Sequence, residues 1–173
     1  WKWNLAEEMA AITALLPTHP VVTIDTEFPG TVYDSATPRK LRSAKEAYAL
    51  VRRNVDRLKH LLQLGLTLSG PGGSHPVVWQ FNFRGFDPRT DVAAADSIDL
   101  LRRSGIDFAR HATEGADSRR FAELLMSSGV VLNAEIHWVT FHSGYDFGYL
   151  LKLLTGSNLP DTSSGFFDLI RIY

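Results

Sequence analysis

The stretch Val21–Gly30, "VVTIDTEFPG", decides how the rest of the chain is read. Its β-branched lead-in, Val21, Val22, Thr23 and Ile24, suits a covered central strand, and Phe28, Pro29 and Gly30 turn the chain directly beyond it. Within that strand stand Asp25 and Glu27. Residues two apart in a strand share a face, about 6 to 7 Å from each other, so the two carboxylates project together. An isolated D-x-E is most often the solvated side of a half-exposed strand. In a covered strand, however, unpaired carboxylates are costly unless a cation neutralises them. The expectation is that the pair faces inward with metal in the space between.

Working outward, "NLAEEMAAITALLP" reads as a helix with Asn4 as N-cap and Glu7 completing a capping-box-like pair. Leu5, Met9, Ile12 and Leu16 recur at helical spacing, and Pro17 ends it. After the strand and a turn-rich basic loop, Ser43 and Glu46 cap a second helix that buries Tyr48, Val51, Val55, Leu58 and Leu62. "QLGLTLS" and "PVVWQFNF" are strands joined by the glycine-rich "GPGGSH", and are expected to pair antiparallel. "DSIDLLRRSG" and "DSRRFAELLMSSG" read as short helices begun by Asp96 and Asp117 and ended by Gly105 and Gly129. "IHWVTFHSG" is a further strand, and "YDFGYLLKLLTG" a helix with Phe147, Leu150, Leu151 and Leu154 inward. The order predicts a mixed α/β layer fold.

Asp146 supplies the third acid of interest. It lies in the first helical turn after a strand, where Gly144 permits the sharp exit and the positive helix end favours its charge. Alone it would be an ordinary helix-start aspartate. Together with Asp25 and Glu27 it forms a set of hard oxygen donors from two elements, suited to a pair of divalent cations. Two Mg²⁺ ions about 3.5 to 4 Å apart would activate a water and clamp a scissile phosphate, which is metal-assisted phosphodiester hydrolysis.

Length and composition fit one globular domain: 173 residues, 45% apolar and 21% charged. Cysteine is absent, so disulfides and thiolate zinc sites are excluded and any metal must be held by oxygen or imidazole. A net charge of −1 argues against broad electrostatic gripping of duplex nucleic acid and leaves room for a cleft that holds a few nucleotides. No apolar run approaches the roughly 18 residues of a membrane span and no leader pattern opens the chain, so an intracellular protein is expected. Both ends read as cut: the chain opens on Trp1 and stops at Tyr173 after the apolar run "GFFDLIRIY".

The stretches "VVTIDTEFPG", "WQFNF", "FAELLMSSGVVL", "FHSGYDFGYLLKLLTGSNLP" and "FFDLIRIY" resemble the Caf/Pop family of deadenylases, within the DEDD exonuclease superfamily. "SGYDFGYL" after "DTEFPG" is the most specific part, and the likeness runs from Trp1 to Tyr173. The resemblance implies a ribonuclease-H-like mixed sheet flanked by helices, with residues 1–173 forming a single exonuclease domain that is incomplete at its C-terminus. It implies Mg²⁺-dependent removal of mRNA poly(A) tails from the 3′ end, with two ions and Mn²⁺ as a substitute. Asp25 and Glu27 match the first acidic motif and Asp146 the second, as catalytic metal ligands; the backbone around Phe28 would approach the terminal ribose. The implied partners are poly(A) RNA, the Not scaffold subunit and the leucine-rich-repeat Ccr-type deadenylase, with no membrane. The implied setting is cytoplasmic and nuclear.

The superfamily's third motif, a last metal-binding Asp with a His general base five residues before it, would lie beyond Tyr173. The rival reading is therefore a catalytically incompetent fragment or paralogue that serves as an interaction module of the deadenylase complex. His142, four residues before Asp146, reads as packing near a strand end and not as a base. Arg39, Lys40 and Arg42 read as a solvated loop, Asp96 and Asp99 as a cap and an early helix charge, and "GPGGS" as a hairpin loop.

Overall fold

The computed structural model describes all residues, Trp1 to Tyr173. Four strands form one sheet in the order β3-β2-β1-β4: β1 Val21–Glu27, β2 Gln63–Ser69, β3 Val77–Asn82 and β4 His137–Val139. β1 to β3 form antiparallel neighbours, whereas β4 joins β1 in parallel, a pairing that needs a long crossover such as the intervening helices provide. Seven α-helices surround the sheet: α1 Leu5–Leu15, α2 Ala44–Leu58, α3 Ala95–Arg103, α4 Phe108–Glu114, α5 Ser118–Ser128, α6 Gly144–Thr155 and α7 Ser163–Ile172.

One face of the sheet is the floor of the core. Val22 and Ile24 of β1, Leu64, Leu66 and Leu68 of β2, and Phe81 of β3 are buried there with Met9 and Ile12 of α1, Phe121 and Leu125 of α5, and Leu150 and Leu151 of α6. Each fully buried side chain of this size contributes about 1.5–3 kcal/mol. A one-residue slip of β1 would exchange Val22 and Ile24 for Val21, Thr23 and Asp25, so the apolar pattern fixes the register. A smaller cluster, Leu62, Phe86, Ile98, Leu101, Ile106 and Phe108, lies beneath α3 and α4.

The capping box of α2 forms as expected, with Ser43 accepting from the Glu46 amide and the Glu46 carboxylate accepting from the Ser43 amide. The one expected for α1 does not form, because Asn4 Oδ1 accepts instead from the Trp1 nitrogen at 3.0 Å while its Nδ2 donates to Glu8. α3 begins one residue before Asp96, with Ala94 at its cap, so Asp96 is a first-turn charge and caps nothing. Two helices lack a counterpart in the sequence reading: α4, capped by the Asp107 carboxylate, and α7, capped by the Thr162 hydroxyl. Of the residues expected inward on α6, Leu150 and Leu151 are buried while Phe147 and Leu154 are half-buried. No helix is long and apolar enough to cross a membrane.

Candidate active site

Strand periodicity sends Asp25 and Glu27 to the face opposite Ile24 and Thr26. Both acids are exposed, at the C-terminal end of β1, on the open side of the sheet. The expected inward orientation is therefore corrected: the core side of this strand is filled by Val22, Ile24 and Thr26, and the carboxylates look out. β1 ends where Pro29 and Gly30 turn the chain against the start of α3, and the Ala94 amide donates to the Pro29 carbonyl at 2.9 Å. Gly30 is required there: at φ +81°, a Cβ would sit 2.2 Å from Ser97 Oγ and 2.8 Å from Ala94 Cβ.

Asp146 arrives from the neighbouring parallel strand. β4 runs beside β1, the chain turns through 140–143, and α6 begins, placing Asp146 in its first turn. The Thr26 hydroxyl donates to Asp146 Oδ1 at 2.6 Å, tying the helix start to the strand that carries the other two acids. An aromatic stack reinforces the junction: Phe28 lies 5.1 Å from the Tyr145 ring and 4.8 Å from Tyr149. The Phe28 side chain is thus half-buried against α6 just past Glu27.

Beneath this junction Asn54 of α2 is fully buried. Its Oδ1 accepts from the amides of Val32 and Tyr33 at 2.8 and 2.9 Å, and its Nδ2 donates to the Tyr33 and Leu50 carbonyls at 3.0 Å and lies 3.2 Å from the Tyr145 hydroxyl. One side chain joins the loop after β1, α2 and the residue preceding Asp146. Neither Asn54 nor Thr26 was singled out in the sequence. A signal existed for Asn54, a polar residue three positions after Val51 and four before Leu58 on the buried stripe of α2.

The electrostatics of the three acids are those of an uncompensated cluster. Loss of water raises Glu27 above the ordinary carboxylate range although its side chain reaches solvent, and Asp25 and Asp146 push it the same way. Asp146 is also raised, first by desolvation; the Thr26 hydroxyl pulls it back and Asp25 adds to the rise. No Lys, Arg or His forms an ion pair with any of the three, while twelve pairs occur elsewhere. Hard oxygen donors that repel one another and lack a cationic side chain suit a divalent cation such as Mg²⁺. No three acidic or imidazole groups, however, are close enough to close a coordination shell by themselves.

The histidines stay apart from the acids. His142 is exposed and contacts Arg39 Nη2 through its Nε2, which corrects the expectation that it packs at the strand end. His111 is a core residue, while His60 lies 3.7 Å from Asp91. Arg42 pairs with Asp34 at 2.8 Å, Asp99 with Arg102 at 3.1 Å, and 71–73 form an exposed turn of 3₁₀ helix between β2 and β3.

Comparison with known proteins gives a consistent result. The sequence model of one family, described as CAF1 family ribonuclease, matches residues 1–121, a span that includes Asp25 and Glu27. A probable CCR4-associated factor 1 homologue from Arabidopsis thaliana is 52% identical, covering 100% of this chain and 65% of its own length. Poly(A) ribonuclease pop2 of Schizosaccharomyces pombe is 46% identical over 100% of this chain and 52% of its own. The chain thus spans between about half and two thirds of these relatives. Among solved structures, S. pombe Pop2p in a Mg²⁺- and Mn²⁺-bound form superposes with a TM-score of 0.89 at 44% identity, over 100% of this chain and 69% of that one. CAF1 co-crystallised with the yeast NOT1 MIF4G domain superposes at 0.83 with 35% identity, over 100% and 64%. The mixed sheet flanked by helices is the fold of the Pop2 ribonuclease domain, and the chain belongs to the CAF1 ribonuclease family.

Proposed function

We propose that this protein is a divalent-metal-dependent 3′-to-5′ exoribonuclease that shortens poly(A) tails, with Asp25, Glu27 and Asp146 as metal ligands. The observation that carries the reading is the trio itself: two carboxylates at the C-terminal end of β1 and a third in the first turn of the helix that follows the adjacent parallel strand, mutually repelling and without a cationic partner. The metal-bound form of a relative at 44% identity supports the choice of ion. When bound, a pair of Mg²⁺ or Mn²⁺ ions supplies a polarised water and a clamp on the scissile phosphate. Asp25, whose charge raises both of the other acids, would hold metal from the end of β1. Glu27 adds its carboxylate from the same strand, and Thr26 orients Asp146 through its hydroxyl. The Phe28 backbone, following directly on Glu27, is assigned to the terminal ribose.

Residues 1–173 form the first part of a single exonuclease domain in this reading, and a further Asp and a His base from the chain after Tyr173 complete the site. The relative co-crystallised with a NOT1 domain, and the CCR4-associated names of others, support Not-type scaffold and Ccr-type nuclease partners. Cytoplasm and nucleus are the proposed places of action. The second reading, an interaction module without catalysis, is favoured by one observation only: these residues alone close no metal shell.

The test is a time course on 5′-labelled RNA ending in a poly(A) tail, with Mg²⁺, using the full-length protein and its Asp25→Asn variant. Wild type should shorten the tail from the 3′ end, and the variant should lose at least about 100-fold in rate, since a charged metal ligand would be gone. The variant should also melt no lower than wild type in chelator, because one repelling charge is gone. A folded wild type that leaves the tail intact would favour the interaction module.

A further inference from the structure

Phe141 is the most exposed large apolar side chain in the protein, at 95%, well beyond Leu41 at 74% and Val78 at 68%. Its place in the fold is specific. β4 pairs with β1 so that Val21 is level with His137 and Thr23 with Val139. Carried two residues further, this parallel register brings Phe141 level with Asp25, although the pairing itself ends at Val139. His137 and Val139 are exposed on the open side that also bears Asp25 and Glu27, and Asp146 follows Phe141 by five residues in the same turn-and-helix unit.

The ring is presented by a built turn. The Thr140 and Ser143 hydroxyls bond at 2.8 Å, the Gly144 amide donates to the His142 carbonyl at 3.1 Å, and His142 adopts a left-handed φ of 57°. Arg39, from the loop before α2, reaches over to the His142 ring and braces the turn from outside. The only aromatic neighbour of Phe141 among residues 1–173 is His142, with centroids 6.4 Å apart, so no other ring of these residues covers the phenyl faces. Arg39, through its contact with His142, brings positive charge to the turn that carries Phe141, and Lys40 follows it on the same exposed segment. An open aromatic face with cations alongside is how single-stranded nucleic acid is held: bases stack while the backbone follows the positive charge.

We propose that Phe141 is a stacking platform for one of the last bases of the RNA, holding the 3′ end so that the bond to be cut lies over Asp25 and Asp146. The inference rests on the exoribonuclease reading above and adds a specificity element to it. Stacking tolerates any base but favours those with the larger π-face, so the platform holds adenine better than a pyrimidine.

The experiment uses the full-length protein as wild type, Phe141→Ala and Phe141→Trp. Oligoadenylates carry 2-aminopurine at each of the last three positions in turn, with a hydrolysis-resistant phosphorothioate as the last linkage. Wild type should quench the fluorophore at one of these positions, Phe141→Ala should lose that quenching, and Phe141→Trp should restore it. On cleavable poly(A), Phe141→Ala should raise KM on the order of 10-fold with kcat little changed. That penalty should vanish on a substrate abasic at the same position, which a merely structural role would not produce. Equal quenching by wild type and Phe141→Ala, or an equal penalty with and without the base, overturns the proposal. Phe141-dependent quenching by a protein that cannot shorten poly(A) would sustain the platform and overturn the nuclease reading instead.

Discussion

Replacing Asn54 with Ala would strip the acceptor from two amides, those of Val32 and Tyr33, at a point shielded from water. Unsatisfied buried donors cost more than the bonds were worth, so Asn54→Ala should lose about 2–4 kcal/mol, measured as a fall in the urea midpoint at unchanged slope. A loss under about 1 kcal/mol would mean that water reaches the vacated amides. Asp25 and Glu27 could be found in the sequence because their relation is local: an i, i+2 spacing in a strand puts two carboxylates on one face whatever the rest of the chain does. Asp146 was legible through its helix-start position and the motif around it. Thr26 was not, since its function depends on a carboxylate 120 residues away, and nothing in a β-branched run separates a core threonine from a hydrogen-bond donor. The direction in which the acids look is not legible, because a β-branched lead-in signals burial without saying of which face, and burial alternates along β1 and leaves the acidic face open.

Between elements, the contact of α6 with α2 is what carries Asp146 to its place. Gly148, two residues after Asp146, makes it close: a Cβ there would lie 3.1 Å from Val55 Cγ2 and 3.5 Å from both Val51 Cγ1 and Leu159 Cδ1. Val55 is fully buried and cannot withdraw. Gly148→Leu should therefore part the two helices and cost about 3 kcal/mol, while in Gly148→Ala a gain of about 1 kcal/mol in helix propensity largely offsets the tight contact. Urea titrations of the two variants check this ranking; equal stability would show that the α2 face yields. Elements with strong punctuation were legible, such as α2 with its capping box and the β2–β3 pair around a glycine-rich turn. α4 has seven residues, too short for apolar periodicity to stand out, with only the Asp107 cap as a sign. The apolar residues of α7 looked like a continuous run because Phe166 faces Tyr48 at 5.1 Å while Phe167 remains exposed. β4 is shorter than its apolar pattern suggests because the chain leaves the sheet at Thr140 to make the turn before α6.

Across the whole molecule, His111 links parts that lie far apart in sequence. Buried in α4, it bonds through Nδ1 to the Phe83 carbonyl at the end of β3 at 3.2 Å and meets the Trp1 ring edge-on at 5.5 Å. Burial pushes its pKa below the ordinary 6.5; the Phe83 bond and Asp107 oppose the shift, and Arg110 adds to it. The folded protein therefore holds His111 neutral at a pH where the unfolded chain already takes up a proton. The unfolded state binds more protons in that window, so stability rises with pH there. The contribution of His111 is fully present above 6.5 and is lost as the pH falls from 6.5 through the lowered folded value. Glu27 and Asp146 act with the opposite sign, because their raised folded pKa values make stability fall as pH rises from their ordinary values of 4.5 and 3.8. A single melting curve against pH mixes these effects; the difference between wild type and His111→Gln isolates one. The expected difference is flat above 6.5 and changes below it, with wild type losing stability faster on acidification than the variant, which has no imidazole to charge. A difference that stays flat down to pH 5 would mean that the folded protein protonates His111 as readily as the unfolded chain, with solvent entering between α4 and β3.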